Sequence, residues 1–152
     1  MNILFVCMGN ICRSPLAKAM LKKKFEENGI DGFVDSAGFE AYYINEEPHP
    51  KIKELGKKHG FDVSGKARIF VKEDFDKFDR IYVMDTKTFR DVKELAKNEE
   101  QVKKIDYLMN VVEPGKNEIV PEILESWNVD PENVVDMLDK ATDKIVEEAK
   151  GK

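Results

Sequence analysis

The sequence predicts an α/β fold, three αβα layers built on a four-stranded parallel sheet, in a single domain spanning residues 1–152. Three observations lead there. Four short apolar runs alternate with helical patterns, the arrangement of a parallel sheet covered on both faces through right-handed crossovers. The first run, Ile3–Val6, is continuously apolar, as a strand buried on both faces must be. The length suits one core, and no internal repeat, low-complexity tract or linker divides it.

Each element has its own justification. After the first strand, Gly9 and Asn10 supply a sharp turn. Ser14 reads as an N-cap and Pro15 as the first helical residue. Leu16, Ala17, Met20, Leu21 and Phe25 then keep helical period until Asn28-Gly29, a helix stop. A second strand is expected over 33–36. A helix over 50–59 turns Ile52 and Leu55 inward and stops at Gly60. The third strand falls at 79–84, followed by a helix over 86–97 with Phe89, Val92, Leu95 and Ala96 on one side. A short fourth strand at 103–107 reads as an edge. The last helix starts with Asp130 as N-cap and Pro131 in first position, with an inner stripe of Val134, Leu138, Ala141, Ile145 and Ala149.

Composition narrows the function classes. Twenty-five basic residues against thirty acidic ones leave a net charge of −5, unlike the basic footprint of a nucleic-acid binder. No apolar stretch is long enough to cross a bilayer, so no membrane partner is expected. Met1 runs straight into the first strand without a basic leader, and two cysteines suit a reducing compartment, so a cytoplasmic location is expected. Lys22, Lys23 and Lys24 read as a solvated helix face. His49 and His59 are too isolated to suggest a metal site, and no cofactor is called for; His59, just before Gly60, reads as a helix C-terminal histidine. Nothing demands more than a monomer.

The informative segment is Cys7-Met8-Gly9-Asn10-Ile11-Cys12-Arg13-Ser14, set between the first strand and the first helix. It reads as a phosphate-binding loop. Its backbone N–H groups crowd one small volume at a helix N-terminus, where the macrodipole also favours negative charge. Arg13 offers a donor fork matched to phosphate oxygens. A thiol in such a place, beside a fixed cation, ionises easily, comparable sites having pKa values of roughly 3.5 to 7.5. Cys7 is therefore expected to be a thiolate nucleophile, and Ser14 to donate its hydroxyl to the sulfur. The plainer reading, a small buried core cysteine, explains Cys7 alone but not the whole string of strand, Cys, Gly-Asn, Arg and Ser-Pro. In parallel sheets ligands bind at the C-terminal strand ends, where Cys7, Ser36 and Asp85 all fall.

Val6 through Pro15 resembles the phosphate-binding loop of the low-molecular-weight protein tyrosine phosphatases. Asp35-Ser36-Ala37-Gly38, the segment from His59-Gly60 to Ala67-Arg68, and Tyr82-Val83-Met84-Asp85 match later family segments in the right order, so the likeness runs from Met1 to about Val120. The resemblance implies hydrolysis of phosphotyrosine or other aryl phosphate monoesters through a phosphocysteine intermediate, with inorganic phosphate, sulfate or vanadate as competing ligands. Met8, Gly9, Asn10, Ile11, Cys12 and Ser14 would line the anion, and Tyr42 and Tyr43 would wall an aryl slot. Asn10 would hold the loop's shape. Asp85 would bond to the loop or to Arg13, or cap the helix that starts at Thr86, and both roles are compatible. Ser36 either bonds Asn10 or is an ordinary strand-end serine. Cys12 is either a buried structural thiol or a redox partner of Cys7. An arsenate reductase on the same fold would need a further cysteine, and only Cys7 and Cys12 exist.

The chain departs from the family where the general acid should lie. The usual aspartate belongs to an Asp-Pro-Tyr-like string before the last helix. Counting back from that helix puts Glu122 in its place, with Leu124 and Glu125 where the aromatic pair should stand. Asp130-Pro131 keeps the dipeptide but is better explained as a helix start, so Glu122 is the favoured acid. Ile123, Leu124 and Trp127 also allow a short helical turn. The alternative is a phosphate- or oxyanion-binding module whose chemistry is impaired by this altered segment.

Overall fold

The computed structural model describes residues 1–123 and 129–151. The elements are β1 (Ile3–Val6), α1 (Arg13–Glu27), β2 (Val34–Ala37), α2 (Pro50–Lys58), α3 (Asp74–Lys77), β3 (Arg80–Val83), α4 (Thr86–Leu95), α5 (Glu99–Val102), β4 (Ile105–Tyr107) and α6 (Pro131–Lys150), with 3₁₀ turns at Ala41–Tyr43 and Leu108–Val111. The sheet is parallel throughout, in the order β2-β1-β3-β4, so β4 is indeed an edge. β1 pairs Ile3 with Val34 on one side and with Arg80 on the other, which brings the ends of three strands to one level.

Strand alternation sorts the core into two layers. Ile3, Phe5 and Tyr82 point to one face, against Leu16 and Met20 of α1 and Leu138, Ala141 and Ile145 of α6. Leu4, Val6, Ile81 and Val83 point to the other, against Phe75, Phe78 and Val92. The three αβα layers follow from that alternation. No helix among the described residues is long and apolar enough to cross a membrane.

Several boundaries differ from the sequence expectation. α1 begins at Arg13, two residues earlier than Pro15, with Cys12 in the capping position and no side-chain cap. Ser14 is not the N-cap: its hydroxyl is turned inward onto Cys7 and Asn10. β2 starts one residue later than expected: Ile3 N donates to Phe33 O at 2.9 Å, but the Phe33 N–H turns to Asn2 Oδ1 and its exposed ring stacks on Phe78. α4 stops at Leu95, since Ala96 is extended. Lys103 closes α5 rather than opening β4. α3 and α5, four residues each, are too short to show a period. α6 starts as expected, with Asp130 Oδ1 accepting from Glu132 N at 3.0 Å. Leu124, Glu125 and Trp127, and with them most of the expected helical turn, lie outside the described residues.

Candidate active site

β1 ends by delivering Cys7 between its two neighbour strands: Cys7 N donates to Ala37 O at 3.3 Å, and Met84 N to Val6 O at 3.2 Å. The chain then doubles back into α1. Asn10 makes that reversal in the left-handed region at φ 56, which asparagine tolerates better than most residues. Its side chain ties the loop inward, with Nδ2 donating to the main-chain carbonyl of Ser36 at 3.5 Å and Oδ1 accepting from Ser14 Oγ at 2.9 Å. Ser36 thus meets Asn10 through its backbone, not its hydroxyl. Ser14 Oγ also lies 2.9 Å from Cys7 Sγ. A hydroxyl has one proton, so Ser14 either donates to Asn10 and accepts from a thiol, or donates to a thiolate.

The segment after β2 clamps the loop from outside. Met8 O accepts from both Phe39 N (2.7 Å) and Glu40 N (2.9 Å), and Ile11 O accepts from His49 N at 2.9 Å. Gly38 permits this approach: a Cβ there would stand 2.7 Å from Met8 O and 2.9 Å from Asn10 Cβ. Tyr43 lies against Gly9, where a Cβ would come within 3.1 Å of its ring.

Arg13 is 4 % exposed and held from several sides. One terminal nitrogen donates to Val120 O at 2.8 Å and lies 3.0 Å from Asp85 Oδ2, and the other is 3.4 Å from Glu122 Oε2. Its Nε–H is buried without a hydrogen-bond partner. Burial works against the guanidinium's charge, but the charges of Cys7, Glu122 and Asp85 outweigh it and raise its pKa above the ordinary value. Asp85 takes both roles suggested by the sequence: Oδ1 caps α4 by accepting Thr88 N at 2.8 Å while Oδ2 meets Arg13. Burial pushes the Asp85 carboxyl up, yet the Thr88 N–H and Arg13 hold it below the usual carboxylate range. Its ionised form therefore stabilises the fold above the unfolded carboxyl's pKa of about 4, and that stabilisation is lost as pH falls through the lower folded value. Asp85→Asn is expected to cost about 1–3 kcal/mol in urea unfolding at pH 7, with the gap to wild type narrowing toward pH 3. A gap independent of pH would contradict the pairing.

These groups surround a cleft of about 310 Å³ lined by Cys7 through Arg13, Glu40, Tyr43, Asp85, Ile119, Val120 and Glu122. Two side chains, Tyr42 and Ser14, stand elsewhere than the sequence suggests, while Asp130 keeps its expected place. Tyr42 is 86 % exposed and packs edge-on against Tyr43, outside the lining, so only Tyr43 forms a wall. Ser14 lies fully buried beneath the loop rather than in the cleft. Asp130 caps α6 and does not line the cleft, whereas Glu122 does. Cys7 and Cys12 are both unbridged and buried, Cys12 among the apolar residues of the α1–α6 layer. Sequence reasoning missed Glu40, Ile119 and Val120. Among the described residues no group of three or more His, Cys, Asp or Glu side chains is placed to hold a metal ion. His49 caps α2 through Nδ1; His59 closes that helix and pairs with Glu132 at 2.8 Å.

The family model for low molecular weight phosphotyrosine protein phosphatases matches residues 2–152. The chain belongs to that family. A putative low molecular weight protein-tyrosine-phosphatase of Synechocystis is 32 % identical over 148 residues, covering 96 % of this chain and 94 % of that one. Among solved structures, a protein tyrosine phosphatase of Entamoeba histolytica superposes with a TM-score of 0.90 at 29 % identity, over 99 % of this chain and 97 % of that one. A Drosophila arginine phosphatase superposes with a TM-score of 0.88 at 27 % identity, over 99 % and 98 % of the two chains. This low molecular weight phosphatase is a cysteine-dependent phosphomonoesterase on a four-stranded parallel αβα scaffold.

Proposed function

We propose that this phosphatase hydrolyses phosphotyrosine or similar aryl phosphates, with Cys7 as nucleophile, Arg13 as the phosphate clamp and Glu122 as general acid. The observation that carries this reading is the buried, unpartnered Nε–H of a pinned arginine, in the same cleft as a sulfur bonded to Ser14. A buried donor without a partner is costly to keep, and a phosphoryl oxygen satisfies it. The Cys7 thiolate attacks phosphorus in line with the phenolate while the loop N–H groups and Arg13 hold the equatorial oxygens. Glu122 gives its proton to the departing oxygen, leaving phosphocysteine. Water, deprotonated by the same carboxylate, then attacks phosphorus and releases phosphate and the thiolate.

The fold alone does not choose the phosphorylated side chain, since the Drosophila relative is an arginine phosphatase. The walls favour an aryl group. Ile11, Tyr43 and Ile119 present apolar surface to the cleft, which suits a ring more than a guanidinium. A phosphotyrosyl peptide is expected to exceed its phosphoarginyl counterpart at least about tenfold in kcat/KM, one factor of ten being a modest discrimination for such a pocket. The reverse order would overturn the substrate class.

Glu122 also separates an enzyme with its acid from a binding module without one. Glu122→Gln is expected to lower kcat/KM for phosphotyrosine, which reports the step that expels the phenolate, about 10²- to 10⁴-fold. p-Nitrophenyl phosphate, whose leaving group needs no proton, should lose far less. Equal losses on both substrates, or none on either, would remove Glu122 from this role. The phosphorylated partner is expected in the cytoplasm, with the enzyme acting as a monomer.

A further inference from the structure

Three carboxylates line the cleft against a single guanidinium. Asp85 and Glu122 both sit on Arg13. Glu40 does not, and among the described residues its exposed carboxylate has no ion pair.

Glu40 is also fixed relative to the phosphate loop. Its N–H shares Met8 O with that of Phe39, and its own carbonyl accepts Tyr43 N at 3.2 Å. Its main chain is thus tied to the loop that would hold the phosphate and to the residue that would face the ring. Glu40 is exposed and lines the cleft, so its carboxylate is within reach of the chain that flanks a bound phosphotyrosine.

We propose that Glu40 makes this site selective for phosphotyrosine segments with lysine or arginine next to the phosphorylated residue. This rests on the phosphotyrosine reading above. A flanking cation meets Glu40, which has no ion pair among the described residues, whereas a flanking carboxylate meets like charge. Exposed pairs are individually weak, so each contributes about threefold, and attraction and repulsion together separate basic from acidic segments by about five- to tenfold. Rim charges act mainly on encounter, so the preference should appear in KM and be screened by salt.

Two phosphotyrosyl peptides, identical except for lysine or glutamate on both sides of the phosphorylated residue, provide the test. At about 0.02 M salt the lysine peptide should be favoured about five- to tenfold in kcat/KM, falling toward unity near about 0.5 M. Glu40→Gln should bring the low-salt ratio to near unity, and Glu40→Lys should invert it. A purely structural Glu40 would change both peptides alike and leave the ratio intact. Equal rates for the two wild-type peptides, or a ratio unmoved by both substitutions, would overturn the inference and leave the phosphotyrosine reading standing. Hydrolysis of p-nitrophenyl phosphate with neither peptide cleaved would overturn both.

Discussion

Cys7→Ser is expected to yield a folded protein that binds inorganic phosphate and turns over neither p-nitrophenyl phosphate nor phosphotyrosine, a loss of about 10⁴-fold or more. The proposed chemistry needs an ionised sulfur, and a serine hydroxyl stays protonated at neutral pH. The anion's other partners are untouched, because the loop N–H groups come from the backbone and Arg13 is pinned by Val120, Asp85 and Glu122. The smaller oxygen still has Ser14 Oγ as a neighbour, so the loop keeps its internal bonds. Calorimetric titration with phosphate, beside steady-state kinetics, separates the two properties. In the wild type, phosphate should also shield Cys7 from iodoacetate. Residual turnover within about a hundredfold of wild type would remove Cys7 as nucleophile.

Arg13→Lys keeps the charge and is still expected to lower kcat/KM about 10²- to 10³-fold. An ammonium is a point donor on a shorter reach. It cannot hold Val120 O, Asp85 and an anion at once, and it has no Nε–H to offer. KM for p-nitrophenyl phosphate should rise and kcat should fall, because the guanidinium holds oxygens whose charge is redistributed in the transition state. Loss of the fork also leaves Asp85, half-buried, with a poorer partner, costing about 1–3 kcal/mol in urea unfolding. Activity within tenfold of wild type would mean that the guanidinium does not clamp the substrate.

The segments legible in the sequence were those whose meaning is contiguous. β1, the loop and α1 lie in one stretch, and strand pattern, turn residues and helix period agree there. Counting back from a well-marked helix start pointed to Glu122, which lines the cleft; its role is a matter of the proposal above. What stayed hidden depends on direction rather than residue type. A serine in the first turn of a helix can cap outward or turn inward, and Ser14 turns inward. Adjacent tyrosines in a 3₁₀ turn point to different places, so Tyr43 meets Gly9 while Tyr42 faces solvent. Val120 contributes only a carbonyl and a β-type hydrogen bond, which any residue supplies equally well. Glu40 is one acidic residue among many until the backbone bonds to Met8 place it at the cleft.

Val120 joins two ends of the site: its N–H reaches Met84 O, just past β3, and its carbonyl is held by Arg13. Glu122, two residues on, is thus placed close to a point anchored on the central sheet. The proton donor proposed above is thereby hung from the same backbone bonds that hold Arg13, so acid and clamp share one mooring.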